Sequence, residues 1–175
     1  THGHPLGGGS WWVDGYRRLL RQVQAAAHAA GRDLAITSEC VAEPFMDGVD
    51  AFLVWQPRDG EDIPLMAAVY SGYTLYFASP EPLATSDRGW TMVQGRDFLW
   101  GCQNGWMSPD LLQPEHAAKA AFLRQVGQYR VAGRKFLTYG QLVGLIDHPE
   151  TVTEPWGTAP VTLPVIQGSL WRTED

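Results

Sequence analysis

The sequence predicts an α/β chain with parallel strands and flanking helices, and three observations predict it. A long amphipathic helix pattern comes first and is followed, after a short turn, by a nearly continuous apolar run at residues 34–37. Such a run is typical of a strand that is covered on both faces. A second apolar run at residues 51–55 follows after about a dozen residues, which is roughly the minimum for a parallel crossover.

The first predicted helix covers residues 11–30. Ser10 is a candidate N-cap, Asp14 adds a negative charge in the first turn, and Gly31 ends the pattern. Apolar side chains recur along it in steps of three and four. They are Val13, Tyr16, Leu20, Val23, Ala27 and Ala30.

The strands are predicted at residues 34–37, at residues 51–55 and from Pro64 onwards, where the chain reads LMAAVY. Pro44 excludes a regular helix between the first two strands, but a helical turn can start there and end at Gly48. A helix is predicted at residues 89–101. Its buried side chains should be Trp90, Val93 and Trp100.

The longest helix is predicted to begin at Pro114 and to end near Tyr139, with basic residues at its C-terminal end. Its predicted apolar face consists of Ala118, Phe122, Val126, Tyr129, Gly133 and Phe136. Residues 147–164 are rich in Pro, Thr and Gly and are predicted to be a linker. The closing LPVIQGSLWRT is predicted to be a strand, for instance the first of a following β domain.

Composition limits the partners. The chain has 175 residues, 45% of them apolar, and a net charge of −6 with no long Lys/Arg run, which argues against a nucleic-acid groove or an anionic-membrane surface. No apolar run approaches the ~20 residues of a membrane helix, and no signal peptide opens the chain, so a soluble protein of open localisation is expected. The turn-rich start without Met suggests a fragment or a processed product. The two cysteines can form at most one disulfide.

The strand count leaves two architectures open. A closed (β/α) barrel needs eight strands and typically about 250 residues, whereas three strands are predicted here. The chain is therefore either a small open α/β domain or part of a barrel. A partial barrel would expose strand edges and an apolar face, so self-association or a longer chain is expected.

Four carboxylates lie in or beside the stretch that joins the first two strands: Glu39, Glu43, Asp47 and Asp50. Glu39 comes just after the first strand, at the edge where α/β folds place their chemistry. Glycoside hydrolysis uses two carboxyl groups, which Glu39 with Glu43 or Asp47 could supply. The structural alternative is that these acids cap the Pro44 turn, pair with arginines or are solvated.

Aromatic side chains follow the other predicted strands. Trp55 ends the second strand, and Tyr70 and Tyr73 end the third, so all three could stack on a sugar beside Glu39, or could equally be core residues. A second polar and aromatic cluster could line a subsite, although core packing and a helix end explain it better. It consists of Trp100, Gln103, Asn104 and Trp106.

The sequence gives little support to a metal or a cofactor. His2 and His4 have the spacing of two ligands on an extended segment but have no third ligand nearby. The Gly7–Gly9 run before Ser10 lacks the lysine of a phosphate loop, and Cys40 has no histidine partner. We expect no cofactor and no metal.

Several segments resemble a known group of proteins. HGHPLGGGSWW, LAITSECVAEPFMDGVDAFLVW and IPLMAAVYSGY resemble, in that order, the C-terminal part of the TIM barrel of a bacterial group of glycoside-hydrolase-like proteins. RKFLTYGQLVG and LPVIQGSLWRTED resemble the end of that barrel and the entry to a β-sandwich. The resemblance implies a partial TIM-barrel portion at residues 1–146, a linker and strand at residues 147–175, and Glu39 as the acidic catalytic residue.

The expected function is therefore acid/base hydrolysis of a glycosidic bond. Glu39 and Glu43 are the candidate catalytic residues, and Asp47, Trp55, Tyr70 and Tyr73 are the candidate substrate-binding residues. In the family a second carboxylate often comes from an earlier strand. The alternatives are a non-catalytic carbohydrate-binding or scaffold module and a hydrolase that binds a metal through His2 and His4.

Overall fold

A computed structural model of the chain describes residues 9–39, 43–54, 63–78, 82–157 and 159–174. The helices are α1 Gly9–Ala29, α2 Leu65–Tyr70, α3 Asp87–Leu99, α4 Ala117–Ala132 and α5 Arg134–Tyr139. The strands are β1 Thr37–Glu39, β2 Ala51–Val54, β3 Leu75–Ala78, β4 Gln141–Leu145, β5 Thr151–Trp156, β6 Ala159–Pro164 and β7 Ser169–Arg172. Short 3-10 turns span Glu43–Phe45, Pro109–Leu112 and Pro114–His116.

The sheet that carries the candidate site has the order β1-β2-β3, and both of its strand pairs are parallel. The predicted mixture of helices with a parallel sheet is thereby confirmed. Because the strands are parallel, their carboxyl ends meet at one edge, which we call the carboxyl edge, and their first residues meet at the opposite, amino edge. Loops at these two edges build different surfaces.

The two faces of this sheet have different surroundings. Phe52 and Tyr76 are register partners and belong to one buried cluster that includes Leu20 of α1 and Ala67 of α2. Since side chains alternate along a strand, the next row must point to the other face. That row consists of Glu39, Leu53 and Phe77.

The first predicted helix is confirmed as α1, with Leu20 buried against the sheet. Its predicted start is wrong, because α1 begins at Gly9, so Ser10 lies inside the helix and Asp14 lies beyond the first turn. The first strand differs from the prediction. Residues 34–36 lie outside it, β1 has only three residues, and Thr37 and Glu39 are exposed, so β1 is not covered on both faces. Hydrogen bonds with Asp50 explain the difference, because its carboxylate accepts from the Ile36 N–H at 2.7 Å and its own N–H donates to the Ile36 carbonyl at 2.8 Å.

The predicted third strand is wrong. LMAAVY forms α2, and the actual strand, β3, follows the turn at Ser71–Thr74. A six-residue apolar run has no decisive periodicity, and Leu, Met and Ala favour a helix. The second strand is confirmed as β2 over Ala51–Val54.

Residues 87–99 form α3, which confirms the helix predicted there, and Trp90, Val93 and Trp100 are all buried. The long helix predicted from Pro114 is divided at Gly133 into α4 and α5. Val126 of its predicted apolar face is buried, whereas Tyr129 and Phe136 are exposed. The break at Gly133 prevents one continuous apolar face.

Most of the segment predicted to be a linker lies in two strands, β5 and β6. β5 and β6 pair antiparallel as a hairpin, and Trp156, Val161 and Leu163 join Trp90 and Val93 of α3 in a second buried cluster. The alternation of Val and Thr outweighs the Pro and Gly content of this segment. The closing run was predicted to be one strand, but Leu163 and Pro164 belong to β6 and only Ser169–Arg172 form β7, which pairs antiparallel with β4. The predicted division at residue 146 stays a prediction.

A buried ion pair connects α3 to the segment after β4. The Arg96 guanidinium donates to the Asp147 carboxylate at 2.8 Å and to the Gln167 amide oxygen at 3.1 Å. The central carbon of the Arg96 guanidinium also lies 5.3 Å from the centre of the Trp100 ring. These contacts hold a charge inside the fold by pairing it on several sides.

Candidate functional site at the carboxyl edge

Glu39 is the last residue of β1 and lies at the carboxyl edge. It is exposed, and its register partner Leu53 is buried beside it in the row that points away from Leu20 and Ala67. A strand end fixes the backbone of this carboxylate, while exposure leaves the side chain accessible. This is where catalytic acids of parallel α/β folds are found.

The row continues beyond β3. Gln103 forms a parallel bridge with Phe77, and its N–H donates to the Tyr76 carbonyl at 2.7 Å. Gln103 therefore occupies the position of a fourth strand, and the residues after it enter the carboxyl edge from there. The sequence predicted Gln103 only as part of a possible subsite and not as a strand residue, because an isolated β-bridge leaves no strand pattern in the sequence.

The loop after Gln103 presents one exposed aromatic ring, that of Trp106. Trp106 has a backbone φ of 60° and is 56% exposed, so the core-packing explanation is wrong for this residue. Asn104 is fixed by hydrogen bonds from its amide to the Gln94 carbonyl and side chain, at 2.9 and 2.8 Å. Positive φ in a bulky residue is uncommon and concentrates at functional sites. Trp100, by contrast, is a core residue.

Glu43 and Tyr70 are brought together. The Tyr70 hydroxyl donates to a Glu43 carboxylate oxygen at 3.0 Å, and this hydrogen bond raises the pKa of Tyr70 above its usual value. Tyr70 packs against the cluster on the helix side of the sheet, whereas Glu39 belongs to the row of the opposite face. The contact favours Glu43 as a group that holds the Glu43–Phe45 turn against α2.

Asp47 lies on the way to the amino edge, where β2 begins. Its carboxylate accepts hydrogen bonds from Arg17 and Arg21 of α1. The hydrogen bond from Arg17 holds the pKa of Asp47 below its ordinary value, and the same bond raises the pKa of Arg17. Asp47 therefore connects α1 to the Glu43–Phe45 turn region.

We expect the contact between Arg17 and Asp47 to make the stability of the fold depend on pH in the acidic range. The pKa of Asp47 is lower in the folded than in the unfolded chain, so its contribution is complete above the ordinary aspartate pKa of about 3.9 and is lost as pH falls through the lower folded value. Asp47→Asn should lower the melting temperature slightly at pH 7, and the gap to wild type should close towards pH 3. Thermal melts at both pH values measure the gap. A gap that stays constant contradicts the assignment.

The other predicted substrate contacts separate. Tyr73 lies in the turn before β3, at the amino edge, rather than at a strand end beside Glu39. Trp55 lies outside the described residues, as do Cys40, His2 and His4. Gly9 starts α1, while Gly7 and Gly8 are outside the described part.

The described residues bring no three His, Cys, Asp or Glu side chains together as a metal site. Among the described helices, none is both long and apolar enough to cross a membrane. Burial raises the pKa of the Cys102 thiol, which is 1% exposed.

Comparison with known proteins adds to this geometry. A family model described as a domain of unknown function, DUF6259, matches residues 1–80. A Bacteroides thetaiotaomicron protein named "Putative glycoside hydrolase" is 33% identical over 135 residues, which are 74% of this chain and 20% of that protein. A Monosiga brevicollis protein named "Putative glycoside hydrolase 22789" is 29% identical over 116 residues, covering 61% of this chain and 9% of that protein. No solved structure matches the chain.

The chain thus spans a fifth or less of the length of these two relatives. Their names support a glycoside-hydrolase-like family for this chain, in agreement with the resemblance noted in the sequence.

Proposed function

We propose that this chain is part of a glycoside hydrolase and that Glu39 is its catalytic carboxylate. The observation that carries the proposal is the position of Glu39, exposed at the end of a parallel strand on the face away from Leu20 and Ala67. The names of the two relatives supply the substrate class, a carbohydrate.

The fold proposed for the complete protein is a TIM barrel to which this chain contributes neighbouring units. Three parallel strands in sequential order, followed by the Gln103 bridge, are consistent with consecutive barrel strands. In a barrel the row of Glu39, Leu53 and Phe77 would face the interior. β1 would pair with a strand from elsewhere in a longer chain or in a second copy.

The chemistry follows from what one carboxyl group can do. As a general acid, Glu39 donates a proton to the leaving oxygen. As a nucleophile, it attacks the anomeric carbon while the bond from that carbon to the leaving oxygen breaks, and water then hydrolyses the glycosyl-enzyme ester and frees the carboxylate. Either role needs a second carboxyl group, about 5–5.5 Å away for retention or about 6.5–9.5 Å for inversion. Glu43 is held by Tyr70. A carboxylate from another barrel strand is therefore the better partner for Glu39.

The substrate contacts proposed at this edge are aromatic. Trp106 follows the Gln103 bridge and so belongs to a loop at the carboxyl edge. Trp55, the next residue in sequence after β2, lies outside the described residues and stays a candidate from the sequence. An exposed ring can stack on the CH-rich face of a sugar. Tyr70 acts there through Glu43 rather than by direct contact.

The test is an assay of the full gene product on aryl glycosides of different sugars and anomeric configuration. We expect release of the aryl group from at least one glycoside, at a rate proportional to enzyme concentration. Binding of the same glycosides without turnover would overturn the proposal and favour the non-catalytic carbohydrate-binding module. That second function is favoured by one observation, namely that the Glu43 carboxylate is occupied by the Tyr70 hydroxyl.

A further inference from the structure

Two cavities lie side by side at the amino edge, away from Glu39. The first, of about 610 Å³, is lined by residues at the starts of β2 and β3, including Asp50 and Thr74, together with Arg134 of α5. The second, of about 870 Å³, lies between α2, α5 and β7. Both are lined by Gly72, Tyr73 and Tyr139 and so form one continuous surface, which we call the amino-edge groove.

Two tyrosine rings stand where the two cavities meet. Tyr73 is 85% exposed and Tyr139 is 66% exposed, so neither ring contributes to the core. Gly72 between Ser71 and Tyr73 has φ +88°, and an added Cβ would lie 3.6 Å from the Tyr139 carbonyl. The turn that carries Tyr73 therefore approaches α5 closely, and the two rings are held in one neighbourhood by the backbone.

Hydrogen bonds join the walls of the groove. The Thr74 hydroxyl and the Leu75 N–H both donate to the Asp50 carbonyl, at 3.2 and 3.1 Å, so the starts of β2 and β3 are joined. Arg130 donates to the carbonyls of Gly101 and Cys102 at 3.0 and 2.9 Å. A preformed surface loses little entropy when a ligand binds.

The polar groups of the groove suit vicinal hydroxyl groups. Thr138 lines the groove with a hydroxyl and Gln24 with an amide whose nitrogen donates to the Gly48 carbonyl at 3.4 Å, and Arg134 has a planar guanidinium that makes no hydrogen bond or ion pair with the described residues. Amides and hydroxyls both donate and accept, and a guanidinium donates two parallel hydrogen bonds. The charges are of both signs, since Asp47 and Asp50 line the same cavity, which disfavours a polyanion.

We propose that the amino-edge groove binds a carbohydrate chain at a site separate from Glu39, with Tyr73 and Tyr139 as stacking rings. Exposed rings flanked by groups that donate and accept hydrogen bonds are what an oligosaccharide requires, because each sugar has an apolar face and a hydroxyl rim. The carbohydrate class is inferred in part from the proposed function, but the binding itself needs no hydrolysis. The groove would hold a polymer while another part of it is cleaved at the carboxyl edge.

The experiment measures binding of the full gene product carrying Glu39→Gln, which prevents turnover, to an array of immobilised glycans. We expect binding to at least one oligosaccharide, and a loss of about tenfold or more in affinity when Tyr73→Ala and Tyr139→Ala are added. Tyr129→Ala is the matched control, because Tyr129 is also exposed but lines neither cavity. The control should bind as the parent does.

Each failure can be recognised. No binding to any glycan, or equal binding by the double tyrosine variant and the control, overturns the groove proposal. A change in oligomeric state of the double variant, measured by gel filtration, also overturns it, because the rings would then serve an interface. Aryl-glycoside turnover is measured separately in the protein with Glu39. Its absence beside a positive array result removes the proposed function and leaves the groove.

Discussion

Replacing Glu39 with Gln in the full gene product is expected to lower kcat on its best aryl glycoside by about 100- to 10,000-fold. The amide keeps the size of the side chain but can neither donate the proton nor attack carbon. Because Glu39 is exposed at a strand end, the fold should tolerate the change, and the melting temperature should stay within about one degree.

The leaving group distinguishes the two roles of Glu39. If it is the general acid, substrates with acidic phenols need less protonation and should lose less rate than substrates with alkyl leaving groups. If it is the nucleophile, both should lose equally. Glu115→Gln, at an exposed glutamate in the Pro114–His116 turn, is the control and should keep full activity. Unchanged kcat in Glu39→Gln would show that this carboxylate is not catalytic.

The second large effect is expected from the buried ion pair. Arg96→Leu should lower the free energy of unfolding by about 3–5 kcal/mol, because it leaves the Asp147 carboxylate and the Gln167 amide without their donor. The Arg96 side chain is only 2% exposed and that of Asp147 is 21% exposed, so water replaces the lost contacts only in part. Urea unfolding followed by tryptophan fluorescence measures the change.

Arg88→Leu is the matched control for that experiment. Arg88 pairs with Glu154 at 3.5 Å, but its side chain is 62% exposed, and exposed pairs contribute about 0–1 kcal/mol. Similar losses in the two variants would mean that burial of Arg96 contributes nothing special. Asp147→Asn in the same series separates the effect of the charge from that of the hydrogen bond.

The sequence predicted most elements whose patterns are long. α1 follows from its apolar periodicity, although its predicted N-cap does not, α3 follows from its apolar residues, and β2 follows from an uninterrupted apolar run between turn residues. The helix α2 could not be distinguished from a strand, because six residues contain too few turns for periodicity to decide. Because of that single error, Tyr70 and Tyr73 were predicted to lie at the end of a strand, where they do not lie.

Contacts between distant segments were outside what the sequence could show. β4 pairs with β7 across the intervening β5–β6 hairpin, and no local sequence pattern predicts that pairing. The position of Glu39 was predictable because it depends on one strand end. The position of Asp47 apart from Glu39 was not predictable, because this position depends on which arginines of α1 come within reach of the Asp47 carboxylate.

Because Cys102 is buried, the reactivity of its thiol can be used to measure opening of the core. Its thiol lies in the cluster with Phe52 and Trp100, and burial raises its pKa, so the reactive thiolate is scarce and screened from solvent. A small alkylating reagent can reach it only when the core opens. The labelling rate at this one sulfur, followed by mass spectrometry of its peptide, therefore measures how often the sheet and its helices separate under native conditions.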